Sequence, residues 1–221
     1  MKYNIALLLT FFTTICLAQL REGFVYAQDI IDDLAVELRY CNDNNFVGEQ
    51  IDGYNKEVVI MTTLAAKALR NVQDTLKTKG LGIKIYDAYR PQQAVNHFVR
   101  WAKKVNDTLK KQEYYPNVDK KNLFSQGYIA SKSRHSSGST LDLTIINLDT
   151  GLALDMGSPY DFFGPESWVS NTKLTKKQQE NRQLLQDVML SNGFRNYPKE
   201  WWHFTLRGEP FRNQYFDFPI E

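Results

Sequence analysis

An α+β fold, a mostly antiparallel sheet with flanking helices, is what this chain predicts, and three observations predict it. Stretches with helical and with strand periodicity are both present, but they do not alternate regularly, which argues against a parallel βαβ array. Apolar residues make up 43% and charged residues 24% of the 221 positions, the composition of a globular domain with a real core. Polar connections rich in Asn, Asp and Gly, such as residues 42–55, separate the periodic stretches.

Taken in order, residues 1–18 read as a signal peptide. Lys2 supplies a positive start, residues 5–17 are apolar apart from threonines, and Cys16 and Ala18 are small residues in the −3 and −1 places before Gln19. Cleavage near Ala18 leaves a single domain, residues 19–221, expected in the periplasm or secreted. Cys41 is then a lone cysteine, so no internal disulfide is expected. No second long apolar run occurs, so the mature chain is expected to lack a membrane span. Net charge is +2, with 27 basic against 25 acidic residues, which gives no argument for a nucleic-acid partner.

Leu34, Val36, Leu38 and Tyr40 alternate and predict a half-buried strand over 34–40. A helix is predicted over 57–79, with Met61, Leu64, Ala65, Ala68, Leu69, Val72 and Leu76 on one face and Gly80 as its stop. Residues 81–89 read as a strand, and Pro91 then opens a second helix over 91–106. Residues 106–132 are polar and predict a long loop or short elements near the site. Leu141, Leu143 and Ile145 alternate with Asp142 and Thr144 as a strand. Thr175 and Gln178 form a capping-box pattern that opens a third helix, ended by Asn192 and Gly193. Residues 194–206 are a last strand region, interrupted near Pro198.

The sequence holds three histidines. His135 lies in Ser133-Arg134-His135-Ser136-Ser137-Gly138, shortly before Asp142, and Gly138 can bend the backbone so that both face one point. His203 follows in Glu200-Trp201-Trp202-His203. His135, Asp142 and His203 offer two nitrogens and one oxygen, the set a catalytic zinc takes while keeping its fourth position open. Glu200 is three residues from His203, and in a flat strand those two side chains point to opposite faces. A bend near Pro198 is needed to bring them together. Glu200 then serves as general base toward the attacking water and hands the proton to the leaving amine. Arg90, at a strand end, is placed to stabilise a negative oxygen. Asp161 is a candidate for a substrate ammonium. His97 reads as a helix-surface residue, and Trp201 and Trp202 as site walls.

Several motifs together resemble the D-Ala-D-Ala dipeptidases, the VanX-like branch of the zinc D,D-peptidases. They are Leu38-Arg39-Tyr40, Asn45-Phe46 with Gly48, Tyr86-Asp87-Ala88-Tyr89-Arg90-Pro91, Ser133-x-His135-x-x-Gly138-x-x-x-Asp142, Asp155-Met156-Gly157 to Asp161, and Glu200-Trp201-Trp202-His203. The resemblance implies one zinc on His135, Asp142 and His203, Glu200 as base and Arg90 as stabiliser of the tetrahedral intermediate. It also implies Ser133 and Asp161 in substrate binding, Tyr40 beside Arg90, and the α+β fold shared with Hedgehog-type domains. The implied substrate is a small free dipeptide ending in D-alanine. Thr140 and Ser158 depart from the family's usual Ala and Thr.

Two alternatives remain at this stage. One is a D,D-carboxypeptidase acting on peptidoglycan stem peptides. The other is a non-catalytic zinc domain that binds peptidoglycan; the spare carboxylate of Glu200 argues against it, because structural zinc sites are closed by four ligands.

Overall fold

The computed structural model describes residues 20–221, so the signal-peptide expectation for 1–18 lies outside the described residues. The described residues form two sheets. In the smaller, β1 (Phe24–Tyr26) pairs antiparallel with β3 (Ile60–Thr62). The larger has five strands in the order β2 (Ala35–Val36), β4 (Leu81–Asp87), β5 (Thr140–Asn147), β7 (Glu200–Leu206) and β6 (Phe194–Tyr197). Only the β2–β4 pairing is parallel; the other three are antiparallel. The predicted α+β class, mostly antiparallel, is what the chain adopts.

α1 (Thr63–Lys77) and α4 (Lys176–Ser191) pack together against the sheet. Leu69, Val72 and Leu76 from α1 and Leu185, Val188 and Met189 from α4 share a core with Ile83, Ile85, Leu143, Ile145 and Phe204. α2 (Gln92–Lys103) belongs to a second core that is mostly aromatic, with Phe24, Tyr40, Phe46, Tyr54, Tyr89, Phe98, Trp101 and Phe163. Loops contribute most of that second core, including the short α3 (Lys111–Tyr114) within 106–132.

Local signals explain most boundaries. The Thr175–Gln178 capping box is formed in both directions. Thr62 caps α1 by accepting the Ala65 N–H, and Pro91 precedes the first turn of α2. Three expectations are corrected. The 34–40 stretch is strand only at Ala35–Val36 and turns into a 3-10 helix at Arg39–Cys41, which carries Tyr40 inward. The first helix begins at Thr63, not near 57, because residues 60–62 pair with β1; Met61 is thus a strand residue and Leu64 is exposed. The last strand region is a hairpin of two strands, β6 and β7, turned at Pro198 and Lys199.

Among the described residues no helix is long and apolar enough to cross a membrane.

Candidate active site

Three adjacent strands carry one polar row. Asp87 on β4 stands opposite Asp142 on β5, and Asp142 stands opposite His203 on β7. Directly opposed residues share a face of the sheet, so these side chains meet. The same strand β5 sends Leu141, Leu143 and Ile145 into the aliphatic core, as its alternation predicts.

His135 enters from the 3-10 turn at Arg134–Ser137. The Ser133 hydroxyl caps that turn by accepting the His135 N–H at 3.3 Å, and Gly138 ends it at φ 82°. A Cβ at Gly138 would strike the Phe24 ring, so the turn needs glycine twice over. The His135 Nδ1–H donates to the Ala88 carbonyl at 2.8 Å, which leaves Nε2 with its lone pair toward the cluster.

His135 Nε2, Asp142 Oδ1 and His203 Nδ1 lie 3.1 to 3.4 Å from one another. Asp142 Oδ1 is buried and, among the described residues, accepts no hydrogen bond. A buried carboxylate oxygen left without a donor, facing two imidazole nitrogens, fits a bound cation. The other oxygen of Asp142 accepts from the Tyr160 hydroxyl at 3.2 Å, which fixes the carboxylate's rotation.

Glu200 reaches the same point because β7 is irregular. Its pairing with β6 jumps from Asn196 opposite Phe204 to Tyr197 opposite Glu200, so extra residues bulge between Glu200 and His203. Glu200 Oε2 comes to 3.3 Å from His203 Nδ1. Arg90 donates to Asp87 Oδ2 through Nε at 2.9 Å and Nη2 at 2.7 Å, and stands 3.7 Å from Asp142 Oδ2. Its guanidinium lies over the rings of Tyr40 and Phe98. Tyr54 completes Asp87 by donating to Oδ1 at 2.6 Å. Asp161 is buried at positive φ, 62°, and accepts from the Tyr40 hydroxyl at 2.8 Å.

The protein groups alone set clear protonation tendencies. Burial and the nearby Asp142 push the Glu200 carboxyl up to about 7, against the pull of His203. Burial would raise Asp142, but His135 and His203 outweigh it and hold the carboxyl below the usual range. Burial and Asp142 together raise Asp161 well above that range. Burial works against the Arg90 cation, yet Asp87 more than restores it.

Tyr40, Arg90, Ser133, His135, Asp142, Asp161, Glu200 and His203 all line one cavity of ≈ 490 Å³. Every residue singled out for the site is therefore in one place. His97 is not; it is mostly buried on α2, where it contacts Glu49 and Asp52 instead of lying free on the surface. Trp201 and Trp202 are buried behind the site. Thr140 bonds across the strands to Thr205, hydroxyl to hydroxyl at 2.8 Å. Sequence reasoning missed Tyr54 and Tyr160, whose hydroxyls brace Asp87 and Asp142. It also gave Asp87 no role of its own, though Asp87 lies within 3.2 Å of His135 Nδ1 and holds Arg90. The Tyr-Asp-Ala-Tyr-Arg motif carried that signal; nothing in the loop around Tyr54 did.

Fold and site define a metal-dependent peptidase: a triad able to hold a cation, a carboxylate beside it and a guanidinium 3.7 Å from Asp142. The chain belongs to the Peptidase_M15 family described as D-ala-D-ala dipeptidase, whose family model matches residues 21–221. It is 39% identical to a D-alanyl-D-alanine dipeptidase of Enterococcus faecium over 199 residues, which cover 90% of this chain and 98% of that one. A D-alanyl-D-alanine dipeptidase of Enterococcus faecalis is 38% identical over 91% of this chain and 100% of its own. One from Streptomyces coelicolor is 36% identical over 89% and 98%. Among solved structures, a VanY D,D-pentapeptidase in complex with Zn(II) matches at 13% identity and a TM-score of 0.42, over 79% of this chain and 83% of that one.

Proposed function

We propose that this chain hydrolyses free D-alanyl-D-alanine to two molecules of D-alanine, using one zinc ion held by His135, Asp142 and His203. The observation that carries the reading is the meeting of those three side chains with the spare carboxylate of Glu200 in one cavity. The family and the names of its relatives supply the substrate class. Two nitrogens and one oxygen suit zinc with an open position. When bound, zinc supplies Lewis-acid polarisation and makes water a nucleophile at neutral pH.

The protein's own groups divide the remaining work. Glu200, whose Oε2 lies 3.3 Å from His203 Nδ1 at the edge of the triad, takes the proton of the attacking water and delivers it to the leaving amine. Arg90, fixed by Asp87 and stacked over Tyr40, stabilises the negative oxygen that forms on the attacked carbonyl. Asp161, oriented by the Tyr40 hydroxyl, receives the substrate ammonium. The Ser133 hydroxyl, on the cavity wall, binds the substrate while its oxygen also caps the His135 turn.

The test is release of D-alanine from the dipeptide by the purified, zinc-loaded protein, beside L,L-dipeptides and a stem pentapeptide. Turnover of D-Ala-D-Ala well above both others supports the proposal. Absence of D-alanine release with zinc bound refutes it, and preferential turnover of the pentapeptide makes the chain a D,D-carboxypeptidase instead.

A further inference from the structure

The segment after β7 ties together the two parts of the chain that deliver Arg90 and His135. α2 starts at Gln92, just beyond the Arg90–Pro91 corner, and the N–H groups of its first turn have no partner inside the helix. Pro91, in the cap position, has no side-chain oxygen to accept them, and the first turn carries no acidic residue. Residues far along the chain supply the acceptors instead. The Gln92 N–H donates to the Phe216 carbonyl at 2.9 Å, and the Gln93 N–H donates to Asp217 Oδ1 at 2.6 Å. The Gln93 side chain closes the contact by donating to the Asp217 carbonyl at 3.3 Å. Asp217 is thus the helix cap that Pro91 cannot be, supplied from 124 positions away.

The same segment reaches the His135 turn. The Phe216 N–H donates to the Ser136 carbonyl at 2.9 Å, and the Arg90 N–H donates to the His135 carbonyl at 3.3 Å. The Tyr89 hydroxyl donates to the Phe218 carbonyl at 2.9 Å, and the two rings stack with centres 4.2 Å apart. The Phe216 ring packs edge-on against Phe24, the ring that fills the space beside Gly138. One residue, Phe216, therefore spends its carbonyl on the helix that follows Arg90 and its N–H on the turn that carries His135. Asp217 itself is exposed and is not among the residues that line the catalytic cavity.

We propose that Asp217 is a positioning residue for the reaction: by capping α2 it locks Phe216 between the Arg90 corner and the His135 turn, and so fixes the Arg90 guanidinium relative to the triad. Without the cap the Gln93 N–H turns to water, the first turn of α2 frays, and the Gln92–Phe216 bond loosens with it. A stabilising group that is slightly misplaced lowers the rate constant and leaves ground-state binding of the substrate almost unchanged. The kinetic part of this inference rests on the dipeptidase reading.

The test sets Asp217→Ala beside Thr175→Ala, which removes the cap of α4, a helix with no residue on the cavity wall. Each variant loses one cap bond, so each should lower the melting midpoint by about 2–4 °C. Hydrogen exchange, read by mass spectrometry on the full chain, should quicken in Asp217→Ala at the start of α2 and also across the turn at Arg134–Ser137. In Thr175→Ala it should quicken at the start of α4 only. For D-Ala-D-Ala, kcat should fall about threefold to tenfold in Asp217→Ala with KM within about twofold, and stay at the wild-type value in Thr175→Ala. Asp217→Asn keeps an acceptor oxygen and should restore both exchange and kcat. The clasp is overturned if Asp217→Ala melts lower yet keeps its kcat, if its exchange quickens in α2 alone, or if Thr175→Ala loses kcat equally. Failure of the wild-type protein to release D-alanine counts against the proposed function, and exchange at the His135 turn then decides the clasp without turnover.

Discussion

The two faces of the main sheet are built by opposite rules. On one, α1 and α4 lay Leu69, Val72, Leu76, Leu185 and Met189 against Ile83, Ile85, Leu143 and Ile145, a largely aliphatic core. On the other, the same strands raise Asp87, Asp142 and His203 beneath a roof of aromatic rings from loops and α2. The first face contributes stability through buried area. The second keeps several ionisable groups out of water, at a cost that only paired hydrogen bonds, a cation or substrate offset. Strand β5 belongs to both, residue by residue. The division implies that substitutions on one face act on folding, those in the polar row on chemistry, and those in the aromatic roof on both.

The sharpest way to break this division is in the polar row. Glu200→Ala is expected to lower turnover of D-Ala-D-Ala by about 10³-fold or more, the worth of a positioned acid–base group. Metal content, measured by mass spectrometry of the dialysed protein, and melting temperature should stay near wild type. His203→Ala should lose the metal under the same dialysis. Metal lost from Glu200→Ala but kept by His203→Ala would reverse the two assignments.

The opposite face gives the complementary case. Leu69→Ala removes a fully buried side chain of α1 far from the polar row. It should cost about 2–5 kcal/mol of unfolding free energy by urea denaturation. The folded fraction should keep its kcat and KM. A changed kcat/KM per folded molecule would show that the aliphatic face reaches into the chemistry.

The same contrast explains what the sequence could tell. α4 and β5 announce themselves through the Thr175 capping box and the Leu141–Leu143–Ile145 alternation, because periodic burial against a sheet leaves a periodic trace. The triad and Glu200 are legible as motif residues, and the resemblance supplied their order. The aromatic roof is illegible, because Tyr54, Tyr115 and Phe163 sit in loops where no period marks a buried ring. β3 falls inside the predicted helix over 57–79, and β1 draws no reading, for a related reason: a three-residue strand pair is too short to register as alternation. The bulge in β7 was legible only as a requirement, from the i, i+3 spacing of Glu200 and His203.

The roof itself is tested by Phe98→Leu. Phe98 packs on Tyr40 and Phe46 and lies under the Arg90 guanidinium. Loss of the ring should cost about 1–2 kcal/mol in stability. It should also lower kcat about threefold to tenfold, since Arg90 loses one of its two stacking surfaces. An effect on stability with kcat untouched would reduce the roof to a second structural core.

Lys120 carries the smallest expected effect and asks whether charge burial on this side is always put to use. It is 4% exposed, its ammonium lies 3.9 Å from the Trp101 ring centre, and it contacts Asp107, outside the catalytic cavity. Burial pushes its pKa down to about 8, with Asp107 opposing. A lysine whose pKa is lower folded than unfolded carries its full penalty below about 8, where both states are protonated. Between there and the unfolded value of about 10.4 the unfolded chain binds the extra proton, so the native state gains relative stability as pH rises. Lys120→Met keeps the length and removes the charge. It should stabilise the protein by about 1 kcal/mol at pH 7, and the gain should fade by pH 10, as read from paired urea titrations. A gain that does not change with pH would mean that packing against Trp101, not the proton, sets the difference; a loss would mean that the cation on the ring is worth more than its desolvation.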